Sequence, residues 1–329
     1  MAFPFPQMSR RRSSFGRSAF GRSGHSRGGF GSGRRRGIPI RLLIGLAIVG
    51  FSLISYFFKS DTNPITGKEQ RVALEDEQDE VAIGLQAAPE MIQQHGGEIG
   101  GPAGQAVDQI GAELVRAMEV RYLEGRQSPY PFEFYLLADP QTVNAFALPG
   151  GQVFITRALY DRLGNRGQLA GVLGHEIGHV IERHGNQRMA EQKRNQGLMS
   201  GVAVASGSYD MANMAQMALQ VSSMSHGREQ ELESDVWGVQ LMPLAGYDPR
   251  ELIEVMNILE AASGGAKGPE FASTHPDPGN RRETISTAIS QLPAGALDNV
   301  SGRLTGEPLP PVQSRGRSGG GSLFDLLGR

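Results

Sequence analysis

Residues 38–58 are apolar almost throughout, and their 21 positions carry one charge, Arg41, near the start. As a helix the run would be roughly 31 Å long, about the thickness of one bilayer core. It has no amphipathic period and follows a basic flank, which predicts a membrane-spanning segment rather than a buried core helix. Beyond it, apolar positions recur at element spacing. A helix is predicted from about residue 75 to 94, with an acidic first turn where the positive end of the helix dipole favours it. Val107, Ile110, Leu114 and Met118 mark a second helix. Residues 132–138 read as a strand, and residues 144–156 as two short strands around the turn Pro149-Gly150-Gly151. Leu169, Leu173, Ile177, Val180 and Ile181 give a helix its core face, with Asn165 as N-cap and Gly185 as stop. Leu232, Val236 and Val239 do the same for a later helix. Residues 198–224, rich in Met, Ala, Ser and Gly, are too broken for a second span. They predict one or two helices, read as core, with a mobile cover over a cleft as the alternative. The sum is an α+β fold, mostly helical, with a small sheet, preceded by one transmembrane helix.

The formal net charge of −2 hides an asymmetry. Residues 1–37 hold nine arginines, eight glycines and no acid. Such a stretch cannot bury a core and is expected to be disordered. The positive-inside rule keeps these arginines in the cytoplasm and makes 38–58 a signal anchor, since no small-residue cleavage site follows Phe58. Residues 59–329 then lie across the membrane. The tail suits orientation and contact with anionic lipid; RNA binding and a mitochondrial presequence are the alternatives, and the glycines oppose a presequence helix. Beyond Lys59, 21 Lys and Arg face 34 Asp and Glu, a net of −13, which argues against nucleic-acid binding by that part. Residues 293–329, rich in Gly, Pro, Ser and Arg, are expected to form a second disordered tail. Cysteine is absent, so a metal here must take His, Asp, Glu or water.

The stretch with chemistry is His175-Glu176-Ile177-Gly178-His179. Two histidines four apart share one helix face and can reach one metal ion, and the neighbouring glutamate can deprotonate a water there. Gly171, Gly174 and Gly178 form a smooth flank where another element can pack closely. A peptidase zinc needs a third protein ligand and an open fourth position. The metzincin continuation is excluded, because Glu182 and Gly185 stand at its glycine and histidine places. His184 lies far round the same helix from His175 and reads as structural. The better source is 228–235, where Glu231, Asp235 and Gly238 make a stripe suited to close approach. Periodicity alone gives Glu231 modest preference. Glu229 and Glu233 lead instead into Trp237, a solvated or packing face.

These motifs together resemble the M48 family of metallopeptidases. The resemblance rests on His175 to His179, on 144–156, on Glu231 to Asp235 with Gly238, and on Thr274-His275-Pro276 followed by Arg281. Its periplasmic and mitochondrial inner-membrane members also begin with a segment like Asn63-Pro64-Ile65-Thr66-Gly67. The resemblance covers 62–292. It implies a zincin-like domain of the gluzincin type, whose sheet edge, here Asn144, Ala145, Phe146 and Ala147, receives extended substrate. It implies one zinc ion on His175, His179 and Glu231, Asp235 in support of a ligand histidine, and His275 and Arg281 near the cleft in the catalytic set. Ser234 stands where Ala is common, and His226-Gly227-Arg228 departs from the usual Ser or Tyr before Arg.

The reaction implied is hydrolysis of polypeptide substrates, membrane or envelope proteins, in protein quality control. Glu176 is the base that takes a proton from water and returns it to the leaving amine. The place implied is the cell inner membrane with the catalytic domain outside the cytoplasm, or else the mitochondrial inner membrane. A non-catalytic, membrane-anchored zinc module is the competing reading. Two roles of opposite sign remain open for His275: donating to the oxyanion, or filling the open metal position as a latch. Arg281, in the first turn of a helix starting near Asn280, opposes the helix dipole, and an oxyanion or a carboxylate such as Asp235 would supply the reason.

Overall fold

The computed structural model describes residues 38–262, 275 and 279–313. The arginine tail, Thr274, Pro276 and residues 314–329 lie outside the described residues. The apolar run becomes helix α1 (Ile40–Phe58), which is apolar and long enough to cross a bilayer. Strands β1 (Asp61–Thr62) and β2 (Glu69–Gln70) pair around the 63–67 segment. Asn63 is buried there, and its side-chain amide donates to the carbonyl of Ile181 at 2.7 Å, tying the segment to the end of the motif helix.

Helix α2 (Glu77–Gln94) starts under Asp76, whose side chain accepts from the Gln78 amide. Helix α3 (Gly101–Tyr122) turns Val107, Ile110, Leu114 and Met118 inward, each fully buried, as their spacing predicts. A three-stranded sheet follows, in the order β3-β5-β4. Strand β5 (Gln152–Thr156) is central and buried throughout, which fits its run of apolar residues. It pairs parallel with β3 (Glu133–Leu137) and antiparallel with β4 (Ala145–Ala147), which is left at the edge. Gly150 and Gly151 make the turn between β4 and β5 at φ of +91° and +109°, which side chains resist.

Short α4 (Arg157–Tyr160) leads to α5 (Arg166–Ile181), whose N-cap Asn165 accepts from the Gln168 amide. The expected stop at Gly185 is corrected: α5 ends at Ile181, and Arg183 takes a left-handed φ of 56°. The Arg183 side chain holds that costly conformation in place. It donates to Glu80 at 2.7 Å, to Asp61 at 2.6 Å and to the Leu74 carbonyl at 3.0 Å. Helices α6 (His184–Ser206) and α7 (Tyr209–Leu244) follow. The expectation that 198–224 is routine core is also corrected. α6 packs along α1, and Val204, Met211, Met214 and Met217 face outward.

The rest closes the domain. α8 (Glu251–Ala262) packs on α5, and α9 (Arg281–Ser290) packs on α7. Residues 293–313, expected within a disordered tail, are instead held against the core. They include α10 (Gly302–Gly306), the Arg166 amide donates to Glu307 O at 2.9 Å, and the Tyr160 hydroxyl donates to Pro310 O at 2.9 Å. Thr305 is buried beneath, and Leu304, Leu309 and Val312 add apolar surface to the main core, which offsets the Gly and Pro content.

Candidate metal centre

Helix α5 supplies His175, Glu176 and His179; α7 crosses it closely and supplies Glu231 and Asp235. The small residues allow this approach. A Cβ on Gly174 would stand 3.2 Å from the Gly238 Cα, and one on Gly178 would stand 2.8 Å from the Trp237 Cβ. Larger side chains would push α7 away and carry its carboxylates out of reach. His175, Glu176, His179, Glu231, Asp235, His275 and Arg281 are brought together, all buried.

Four ligand-type atoms, one each from His175, His179, Glu231 and His275, lie within 4.8 Å of one another. The hydrogen bonds around them set the tautomers. His175 Nδ1 lies 2.9 Å from Asp235 Oδ1, so Nδ1–H donates outward and the Nε2 lone pair faces the centre. Arg281 fixes Asp235 in turn by two bonds, Nε to Oδ2 at 2.8 Å and Nη2 to Oδ1 at 2.6 Å. The first-turn cation on α9 thus has the carboxylate partner that its position called for.

His179 is set by a residue that sequence reasoning placed elsewhere. His184, beyond the αL break at Arg183, folds back so that its Nδ1 is 2.9 Å from His179 Nδ1. Its Nε2 is 3.1 Å from Glu233 Oε2, and Lys68 Nζ is 2.5 Å from the other Glu233 oxygen. With His184 donating to Glu233, its Nδ1 accepts from His179, and the His179 Nε2 lone pair also faces inward. No helical periodicity could reveal this, because the helix stops between the two histidines. Glu233, read as a solvated or packing face, is here the outer end of that chain.

The two inward nitrogens, His175 Nε2 and His179 Nε2, stand 3.1 Å apart, each beside a Glu231 oxygen at 3.3 and 3.4 Å. Lone pairs and a carboxylate facing one another repel unless a cation or proton lies among them, so the donor set fits a divalent metal of the zinc type. Without one, a proton must serve. Burial would lower the His175 imidazole, but its bonds to Asp235 and Glu231 outweigh this and lift it to about 9. Burial drives His179 well down, so the pair shares a single charge. Burial would raise Glu231, but the charges and bonds of His275, His175 and His179 hold it well below the usual carboxylate range. Asp235 is likewise lowered, with Arg281 overcoming the effect of burial.

Glu176 differs from the other carboxylates. Neither of its oxygens has a hydrogen-bond partner among the described residues, nor does Oε1 of Glu231. Burial raises the Glu176 carboxyl. It lines a cleft of about 150 Å³ with Phe146, Ala147, His179, Arg188 and His275, and edge strand β4 forms one wall. A larger cavity of about 570 Å³ between Arg121, Gln240 and Thr284 contains none of these residues, so chemistry rather than size locates the site.

His275 spans both parts of the site. Its Nδ1 is 2.9 Å from Glu231 Oε2 and 3.4 Å from His175 Nε2, while its Nε2 is 3.1 Å from the Ala145 carbonyl of β4. Of the four expected strand residues, Ala145, Phe146 and Ala147 form β4; Asn144 lies just before it, and its backbone bonds Thr156.

A model of peptidase family M48 matches residues 105–289. The beta-barrel assembly-enhancing protease of Escherichia coli (strain K12) is 31% identical over 173 residues, 49% of this chain and 35% of that protein. The mitochondrial metalloendopeptidase OMA1 of Schizosaccharomyces pombe is 30% identical over 190 residues, 57% of this chain and 54% of that protein. The protein of the same name from Saccharomyces cerevisiae is 30% identical over 161 residues, 47% of this chain and 46% of that protein. The matches thus span between about a third and about half of the length of these curated relatives. The family match covers more than half of the chain and contains every side chain of the cluster. The chain belongs to peptidase family M48.

Proposed function

We propose that the chain is a membrane-anchored, zinc-dependent endopeptidase acting on membrane or envelope proteins in protein quality control, with its catalytic domain outside the cytoplasm. The observation that carries this is Glu176. Its two buried oxygens have no hydrogen-bond partner among the described residues, and His275 Nε2 stands 3.5 Å from one of them; a carboxylate so placed is expensive, and a proton-transfer role beside the His175, His179 and Glu231 cluster accounts for it. Zinc, when bound, supplies Lewis acidity that polarises the scissile carbonyl and acidifies water. Glu176 takes the proton of the attacking water and delivers it to the leaving amide nitrogen. Its raised carboxyl suits a group that must both accept and return a proton. Strand β4, at the sheet edge, offers backbone groups to an extended substrate. The anchor is α1, with residues 62–292 as the peptidase domain and an inner membrane, cellular or mitochondrial, as its place; two of the relatives are mitochondrial by name.

His275 favours one refinement. As a fourth donor it would close the site, and its bond to Ala145 O would also cover the strand edge that substrate needs. This supports the latch rather than the oxyanion role. The same fourth donor is what a structural zinc in a non-catalytic module would show. Glu176→Gln separates these readings. In an endopeptidase it retains zinc and loses casein cleavage by roughly 10³-fold, within the range for a lost general base. Near-normal cleavage with zinc retained sinks the assignment.

A further inference from the structure

The outer helices carry a pattern that proteolysis does not use. α6 runs antiparallel along α1, where Gly197, Gly201 and Ala205 meet Ser52, Val49 and Gly45 in turn. A Cβ on Gly201 would stand 2.5 Å from Val49 Cγ2, so nothing larger fits. At one end Arg194 stacks on the Tyr56 ring at 4.6 Å; at the other, Gly207 lies beside the Arg41 guanidinium. α6 therefore reaches as far as α1 does, about 20 Å from residue 195 to 207 at 1.5 Å per residue.

Charge follows the same axis. Lys59, Lys193 and Arg194 line one cleft with Tyr56, and Arg71 stacks on Phe57 at 4.7 Å. Past Arg194 the charges stop, and from 195 to 227 the one Asp, Glu, Lys or Arg is Asp210, close to the α6–α7 turn. Met211, Met214 and Met217 on α7 are 53%, 68% and 69% exposed, and many apolar side chains of α1 also face outward; α6 packs against both helices. Asn213 and Gln216 stand exposed and uncharged between those methionines, and Gln196, Ser200 and Ser206 are exposed and uncharged on α6. Basic and aromatic residues at one level, with an uncharged stretch beyond, are how a chain sorts across a membrane interface.

We propose that residues 195–227 form a helical hairpin that enters the bilayer beside α1. Its Met-bearing face lies against acyl chains, and its turn at Gly207 and Ser208 lies as deep as the N-terminal end of α1. The inference rests on α1 lying in a membrane. Within helices the backbone polar groups satisfy one another, as hydrocarbon requires. The Gly197, Gly201 and Ala205 row gives the close contact with α1 on which helix association in lipid depends.

The absence of cysteine makes the test clean, because any thiol added is the only one. Single-cysteine variants of the full chain in sealed proteoliposomes are treated with a membrane-impermeant maleimide, before and after detergent. The positions are Gln141→Cys on the exposed surface of the globular part, Leu43→Cys on α1, and Met214→Cys and Met217→Cys on the arm; all four are exposed, so the fold tolerates them. The expected result is that the α1 and arm thiols react at least roughly ten-fold more slowly than Gln141→Cys and recover in detergent, since a thiol in hydrocarbon forms no thiolate and meets no aqueous reagent. Fast labelling of both arm thiols with Leu43→Cys protected overturns the hairpin and leaves the anchor standing. Fast labelling of Leu43→Cys as well overturns the membrane reading and this inference with it. Ser208→Cys tests the depth: it should react from the side of the N-terminus, and reaction from the catalytic side alone overturns it.

Discussion

At the centre, Glu176, Glu231, Asp235 and Arg281 are between 0% and 6% exposed, whereas along α1 Phe51, Phe57 and Phe58 are between 58% and 84% exposed. Charge lies inside in one region, and hydrocarbon lies outside in the other. Each inversion has a cause in its surroundings. The buried charges are tolerated because each answers another, Arg281 to Asp235 and the histidines to Glu231. The outward apolar residues suit the bilayer proposed for α1. Burial alone therefore does not say what a residue is for. What counts is whether its environment satisfies it: at the centre, both oxygens of Glu176 and one of Glu231 lack a hydrogen-bond partner among the described residues.

The sharpest way to break the inner region is to remove one answering charge. Asp235→Asn removes the carboxylate that holds Arg281 by two bonds, leaving Glu231 Oε2 at 3.6 Å from its Nη1, and loosens the His175 ring. The zinc dissociation constant is expected to rise roughly 10- to 100-fold, as for lost groups that orient metal ligands. Competition with a zinc chelator measures it, and unchanged affinity would show that His175 needs no such support.

A smaller effect of opposite sign tests the latch. If roughly nine-tenths of molecules are closed by His275, His275→Ala should raise peptide cleavage by roughly ten-fold and weaken zinc binding. Rates are compared at saturating zinc. A fall of roughly 100-fold with zinc retained would restore the oxyanion role.

The outer region is tested by overfilling its seam. Gly201→Leu forces apart α1 and α6 and should cost about 1–3 kcal/mol. Thermal unfolding in detergent should show a lowered Tm, with cleavage per folded molecule unchanged. No loss of stability would mean that the α1–α6 contact is absent in solution.

The smallest effect concerns acid. Burial pushes Asp139 up, but bonds from Thr142, the Gln141 and Thr142 amides and His95 outweigh this and hold it at about 2. An unfolded Asp titrates at about 3.9. The carboxylate therefore stabilises the fold above about pH 4, and that contribution fades as pH falls from about 4 to about 2. In Asp139→Asn the new side-chain oxygen still accepts from both backbone amides but no longer titrates. The substitution should therefore flatten this part of the stability curve measured by urea unfolding. An identical slope would remove Asp139 from the acid response.

Much of this was legible in the chain because local chemistry and tertiary need agree there. The α3 face follows from spacing, and the Asn165 cap and the Pro149-Gly150-Gly151 turn from residue type; for Arg281 the helix dipole asked for an anion and left open whether it was an oxyanion or a carboxylate. Three features were not. Arg183 adopts a left-handed conformation that its residue type resists, held by Glu80 and Asp61 from more than 100 residues earlier. That break brings His184 to His179, which a continuous helix would forbid. Residues 293–313 look like linker by composition and are held by backbone bonds that composition does not encode. His275 as a fourth donor lay between, since the resemblance placed it near the cleft and left open whether it donates to the oxyanion or fills the metal position.

One feature of α7 reaches further than packing. The same 36-residue helix bears Met214 near one end and Glu231 towards the other, 17 residues on, or about 26 Å of continuous rise. A rod does not bend to order, so its two ends share one motion. Tilting it by about 5° about either end swings the other by about 2 Å over that length. That is enough to part Glu231 from the two histidines. In the hairpin proposed above, a tilt of the Met-bearing arm would therefore be felt at that carboxylate.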